Sequence, residues 1–185
     1  MIYLMRHGLD DETFIGGHSN VDLTDVGIKQ VNGAGIWLKS QSFDIREIYT
    51  SDVKRAVTTA NIINEYLNLN IIKLNKLREL DKGLLTGMKK EDAEVKYPEY
   101  IKVNDINMRY PEGESMLDLY LRIKKFLVDI SKYDKSILVT HRGVINMIYY
   151  LLNNDKLDTN KEKYNVTHAS IHEFDIDNRK IRRIR

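Results

Sequence analysis

Three short segments carry side chains suited to phosphoryl chemistry. Arg6-His7-Gly8 sets a guanidinium beside an imidazole, Ser51 to Ala56 holds Arg55, and Thr140 to Gly143 holds His141 and Arg142. A guanidinium is a planar fork matched to phosphate oxygens. An imidazole that is neutral at one ring nitrogen can act as a nucleophile, so His7 is a candidate. A second imidazole, His141, could donate to a phosphate oxygen and hold the transferred group in line. Glu79, in Leu-Arg-Glu-Leu, could protonate a leaving alkoxide. Gly8 lets a backbone come close.

Taken singly, each group also has an ordinary structural account: a surface arginine, a satisfied histidine at a strand end, a solvated carboxylate. Their common position gives them weight. The apolar runs at residues 1 to 6, 47 to 50, 71 to 74 and 136 to 140 read as strands, and the candidate groups lie at or just beyond their ends. Helical spacing spans residues 24 to 39, with Thr24 as cap and Ile28, Val31, Gly35 and Leu38 on one face. Gly33 and Gly35 within it mark close packing. A second helix runs from about residue 52 to 66 with Ser51 as cap. A third starts at Ser115 with Asp118 closing an acidic capping box, and a fourth runs from residue 144 to about 152. Residues 170 to 175 and 179 to 184 form a hairpin turned at Asp177-Asn178. Residues 80 to 113 are polar and irregular and read as an insertion over one end of the sheet. Strands alternating with helices predict a three-layer α/β/α sandwich, with a mostly parallel central sheet and an antiparallel edge. Ligands of such sheets sit beyond the carboxyl ends of the strands.

At these residues the sequence resembles the histidine phosphatase superfamily, also called phosphoglycerate mutase-like. The ordered matches are RHG at 6 to 8, then Gly17, Asp22, Thr24, Gly27 and Gln30, SDxxRA at 51 to 56 and LREL at 77 to 80. They continue with Gly83 and Gly87, PxGES at 111 to 115 and VTHRGVI at 139 to 145. The resemblance implies one phosphatase domain over residues 1 to 185, with 80 to 113 as a lid. It implies His7 as a nucleophile that becomes a phosphohistidine, Glu79 as proton donor, Arg6, Arg55 and His141 as phosphate ligands, and no metal or other cofactor. Phosphoryl transfer requires mainly positioning and charge stabilisation, which two arginines and a histidine can supply. Thr13 stands where many members carry a phosphate-binding Asn, Arg142 where the family usually has a small residue, and Leu-Thr-Gly at 85 to 87 where Trp-Glu-Gly is common. Gly17, His18, Thr13 and Arg142 are therefore candidates for substrate contact. Within the family the short insertion is similar to the α-ribazole phosphatase and broad-specificity phosphatase branch.

The remaining composition excludes other classes. The 185-residue chain is 42% apolar and 30% charged with a net charge of +2, which fits one soluble domain and gives no cue for nucleic acid or membrane. No apolar run approaches the roughly 20 residues of a bilayer span, and the N-terminus turns polar after five residues, unlike a secretory leader. Absence of cysteine removes disulfides, thiolate catalysis and cysteine-based zinc sites. His168 and His172 lack ligand-like spacing, and the basic run at 179 to 185 reads as a charged edge strand that resists aggregation. The expectation is a cytoplasmic phosphomonoesterase acting on a small molecule, as monomer or homodimer. A mutase-type phosphotransferase and a catalytically idle phospho-ligand-binding module are the alternatives.

Overall fold

The computed structural model describes residues 1–185. Six strands form one sheet: β1 (Ile2–Arg6), β2 (Glu47–Thr50), β3 (Asn70–Lys73), β4 (Ser136–Thr140), β5 (Ile171–Asp175) and β6 (Lys180–Arg183). Their order is β3-β2-β4-β1-β5-β6. The first four are parallel, while β5 and β6 are antiparallel additions, with β5 against β1. Every residue of β1 and β4 is buried, as expected of central parallel strands covered on both faces.

The pleat sorts these strands into two cores. Tyr3, Met5, Ile137 and Val139 face helices α1 (Asp25–Ser40) and α2 (Lys54–Leu67). Ile2, Leu4 and Leu138 face α4 (Met116–Phe126) and α5 (Arg142–Asn153). The result is the expected three-layer sandwich. Alternation with period two is what allows one short strand to serve both layers.

Local chemistry explains most element boundaries. Thr24 accepts from the Gly27 amide at the start of α1, and Ser115 and Asp118 form the reciprocal capping box of α4. Gly35 lies under Tyr66 of α2, where an added Cβ would come within 2.3 Å of the ring, so the glycine sets the α1–α2 spacing. Ile28 departs from the expected inner face and is 37% exposed; Gly27 and Ala34 take the inner positions. Ser51 is not the cap of α2. The helix begins at Lys54 after Val53, and the Ser51 hydroxyl instead accepts from the Val53 amide at 3.3 Å. Residues 80 to 113 are less irregular than their polarity implies: they contain α3 (Lys90–Lys96) and two short 3-10 turns. With seven residues and much exposed surface, α3 shows too little apolar periodicity to be seen in the sequence. The chain's basic end forms β6 at the sheet edge, where Arg182 pairs with Glu173. No helix is long and apolar enough to cross a membrane.

His172, opposite Leu4 in the β1–β5 ladder, is 1% exposed and bonded to the Tyr149 hydroxyl at 2.8 Å and to Ser170 at 3.0 Å. Desolvation, then the charge of Arg183, lowers its pKa to about 4. The unfolded chain takes up this proton near pH 6.5, whereas the folded chain refuses it until about pH 4. Stability therefore falls as pH drops through that window, by up to about 1.4 kcal/mol per unit for this group. Urea unfolding at pH 7 and pH 5 should show a smaller pH-dependent loss in His172→Gln than in wild type. An equal loss in both proteins would mean that His172 is not held neutral.

Candidate active site

Parallel pairing sets the ends of β1, β2 and β4 side by side, with Arg6 opposite Thr140 and Thr50 opposite Val139. The residues just beyond these ends, His7, Ser51 and His141, are thereby gathered at one edge of the sheet. His7 is 4% exposed. Its Nδ1 lies 2.7 Å from the Gly8 carbonyl, which can only accept, so Nδ1 carries the proton. Nε2 keeps its lone pair and accepts from Arg55 Nε at 3.1 Å. Burial, followed by the charges of Arg55, His141 and Arg6, pushes its pKa well below the usual histidine value. The imidazole is thus neutral, with its Nε2 lone pair turned to Arg55.

Arg55 joins the parts. It is 2% exposed, donates to the Gly17 carbonyl at 2.8 Å and reaches His141 Nδ1 at 3.2 Å, Ser19 at 3.5 Å and the Asp10 carboxylate at 3.3 Å. Because Arg55 can only donate, His141 Nδ1 accepts, and its Nε2–H donates to Ser51 Oγ at 2.9 Å. His141 is fully buried, and desolvation and Arg55 hold its pKa well below normal. It stands behind Arg55 and does not line the cavity, so in this arrangement it braces Arg55 and is not itself among the groups facing a ligand. Arg6 does line the cavity. It donates to the Val166 carbonyl at 3.0 Å and to His168 Nε2, while its buried Nε has no partner. Desolvation and Arg142 lower its pKa to about 10, which leaves it charged near neutrality.

Glu79 is fixed by backbone at both carboxyl oxygens: Leu80 N donates at 2.9 Å and Gly143 N at 3.1 Å. The segment carrying it is clamped by Arg122 of α4. That side chain donates to the carbonyls of Lys76, Arg78 and Glu79 and pairs with Glu114. His18 Nε2 donates to the Glu79 carbonyl at 2.9 Å, so His18 supports Glu79 from behind and does not face the cavity. The cavity holds about 320 Å³, and Arg6, His7, Gly17, Arg55, Glu79 and Arg142 all line it. Arg142 faces it while paired with Glu162.

Thr13 does not join the site. It is exposed and its hydroxyl donates to Asp11 at 2.7 Å, because the 8–17 loop folds back on Asp11. The neighbouring Asp10 turns inward and contacts Arg55 instead; desolvation raises its pKa against the pull of Arg55. His168, which lacks ligand-like spacing in the sequence, packs 5.8 Å from the His7 ring, and desolvation with Arg6 lowers its pKa to about 3. Ligand atoms of His7, Asp10 and His168 lie within 4.8 Å of one another, a grouping able to hold a metal ion. However, Arg55 already engages His7 and Asp10, and Arg6 engages His168. A cation entering there would face two guanidinium groups, so the surroundings suit an anion better.

The Histidine phosphatase superfamily (branch 1) family model matches residues 2–185. A fructose-2,6-bisphosphatase of Saccharomyces cerevisiae is 32% identical over 160 residues, covering 82% of this chain and 34% of that protein. The chain thus spans about a third of that relative. An uncharacterized phosphatase, PhoE, of Bacillus subtilis is 32% identical over 153 residues, covering 80% of this chain and 74% of the other. Among solved structures, a putative α-ribazole-5′-P phosphatase from Escherichia coli superposes with a TM-score of 0.81 at 21% identity, covering 98% of this chain and 93% of that one. The matched motifs, the fold and the clustered strand ends agree: this chain belongs to the histidine phosphatase superfamily.

Proposed function

We propose that this protein hydrolyses small-molecule phosphomonoesters through a phosphohistidine on His7. The observation that carries this reading is the His7 ring itself, with Nδ1–H tied to the Gly8 carbonyl and Nε2 presented to Arg55 in a cavity that Glu79 also lines. A phosphomonoester carries about −1.5 to −2 charges near neutral pH. Arg6 and Arg55 match that charge, and the unpartnered Nε of Arg6 gains an acceptor.

In the first step the Nε2 lone pair forms a bond to phosphorus while the bond from phosphorus to the ester oxygen breaks. Protonated Glu79 passes its proton to that oxygen and the alcohol leaves. In the second step Glu79, now a carboxylate, takes a proton from water as the water oxygen bonds to phosphorus. The phosphorus–nitrogen bond breaks and returns its electron pair to Nε2. Positioning and charge stabilisation supply most of the acceleration in such transfers. His141 is kept neutral by desolvation and by Arg55. A phosphate dianion beside Arg55 opposes both effects, so protonation at Nδ1 would turn His141 from an acceptor into a donor while Ser51 holds its other nitrogen. Residues 80–113 act, on this reading, as the lid that excludes water during transfer.

In EDTA, wild type should hydrolyse p-nitrophenyl phosphate, and His7→Ala should lose at least about 10³-fold in kcat with an unchanged far-UV spectrum. Wild-type transfer of phosphate between alcohols without release would identify a mutase, whereas activity that survives His7→Ala would remove His7 as nucleophile. Glu79→Gln should slow alkyl phosphates by about 10² to 10⁴ and aryl phosphates less, since good leaving groups need little protonation. Equal slowing of both classes would remove Glu79 as the acid. An added Cβ at position 143 would sit 2.1 Å from Glu79 Oε1. Gly143→Ala should therefore reproduce the leaving-group dependence of Glu79→Gln, with a loss of about tenfold or more on alkyl phosphates. Wild-type kinetics in Gly143→Ala would show that the Gly143–Glu79 contact does not set the position of the acid.

A further inference from the structure

Glu79 carries its carboxyl on a stretch with no regular backbone pairing. It lies between the 3-10 turns Asn75–Leu77 and Gly83–Leu85, and residues 78 to 82 belong to no helix or strand. Such a stretch keeps one position only if other groups hold it. Two side chains do so here. Arg122 of α4 uses all five of its N–H donors on this stretch and on one partner. Its Nη1 donates to the Lys76 and Arg78 carbonyls, both at 3.0 Å. Its Nη2 donates to the Glu79 carbonyl at 3.1 Å and to Glu114 Oε2 at 2.9 Å, and its Nε donates to Glu114 Oε1 at 2.9 Å. Glu114 holds the chain on the far side of Glu79. Its Oε2 also accepts from the Asp81 amide at 3.1 Å, and its own amide donates to the Asp81 carbonyl at 3.0 Å.

The carboxyl depends on this hold. Of the two amides bonded to it, Leu80 N belongs to the same stretch and moves with it. Only Gly143 N ties the carboxyl to another element. A shift of the 76–81 backbone would therefore carry Glu79 away from α5. Neither Arg122 nor Glu114 lines the cavity, so neither touches a ligand there. Any effect of the pair on the reaction must pass through Glu79.

We propose that Arg122 and Glu114 are positioning residues for the proton donor: they fix the 76–81 backbone so that the Glu79 carboxyl meets the leaving oxygen. This rests on the phosphomonoesterase reading, in which Glu79 is the acid. A displacement of about 1 Å in a reacting group costs roughly a hundredfold in rate. A clamp outside the cavity thus governs kcat for those esters whose leaving group needs a proton.

One ammonium group cannot reproduce the five bonds of the guanidinium fork. Arg122→Lys should therefore lower kcat for glycerol 3-phosphate by about tenfold or more and that for p-nitrophenyl phosphate by less than about threefold, with both KM values within about twofold of wild type. Glu114→Gln keeps an acceptor but loses the charge; it should show the same pattern more weakly, and it carries the test if Arg122→Lys does not fold. Added to Glu79→Gln, Arg122→Lys should cost less than about a further twofold, because the group it positions is already gone. Equal slowing of both esters, or a loss that multiplies with that of Glu79→Gln, would make the pair a general support of the fold and overturn the proposal. Hydrogen exchange at the Leu80 and Gly143 amides gives a readout without turnover. Relative to the amides of β4, Arg122→Lys should speed both by about tenfold or more. If wild type hydrolyses nothing, or Glu79→Gln slows both esters alike, the reading of Glu79 as acid fails on its own and exchange decides about the clamp. Faster exchange at both amides upholds it, and unchanged exchange overturns it.

Discussion

Arg55 is a guanidinium at 2% exposure in the wall of a cavity. A buried charge of this kind is tolerated only if its donors find partners, and an unpaired one is strongly destabilising. The chain meets that requirement from several places in its sequence: His7 after β1, Gly17 and Ser19 in the following loop, Asp10 beside them, and His141 after β4. Folding the arginine into place therefore draws His7, Asp10 and His141 together as a by-product. An arginine in the first turn of α2 opposes the helix dipole, and its environment explains why it is kept there: the side chain leaves the helix end for acceptors on other elements.

The same charge determines the state of the histidines. His7 and His141 both accept from Arg55, and acceptance requires a neutral nitrogen. Burial alone favours neutrality, and the guanidinium adds repulsion against any proton. The His7 imidazole is thus kept neutral by burial and by the same guanidinium that lines the cavity. His168 extends the pattern to Arg6, as a third neutral ring that accepts from a cation at the cavity. Positive charge at this edge of the sheet is consequently carried by the arginines, while the imidazoles stay neutral.

Much of this could be read in the sequence, because strands end where apolar runs end. His7 and His141 follow such ends directly, Arg55 and Glu79 a few residues later, and a parallel sheet brings strand ends together. The capping residues Thr24 and Ser115 were equally legible, since each is a local pattern. What escaped depended on contacts across the fold. His168 precedes β5, and because β5 runs antiparallel to β1, the start of β5 lies beside the end of β1; Arg6 N donates to Ser170 O and Ala169 N to His7 O. The expected antiparallel edge held that signal, but only with the pairing partner of β5 specified. Thr13 departs for the opposite reason: sequence position along a loop does not fix where a side chain points, and this hydroxyl bonds Asp11. Lys82, Asn146 and Lys161 reach the cavity from three separate segments with no shared spacing, so no sequence pattern could unite them.

Helix α5 shows how the site divides its electrostatic resources. An α-helix start beyond a parallel strand is an anion site by default, with free amides and a positive dipole end. Here the helix has no capping side chain of its own, and the Gly143 amide is given to the carboxyl of Glu79. A carboxyl group from a remote loop thus serves as the cap, while the cavity arginines are held by buried partners of their own. Amides hold a fixed geometry, and here two of them fix both carboxyl oxygens of Glu79. The only side chain compatible with that division at position 143 is hydrogen, because any Cβ would occupy the space of the Glu79 oxygen. Position 143 is therefore held to glycine by the Glu79 carboxyl that its amide supports.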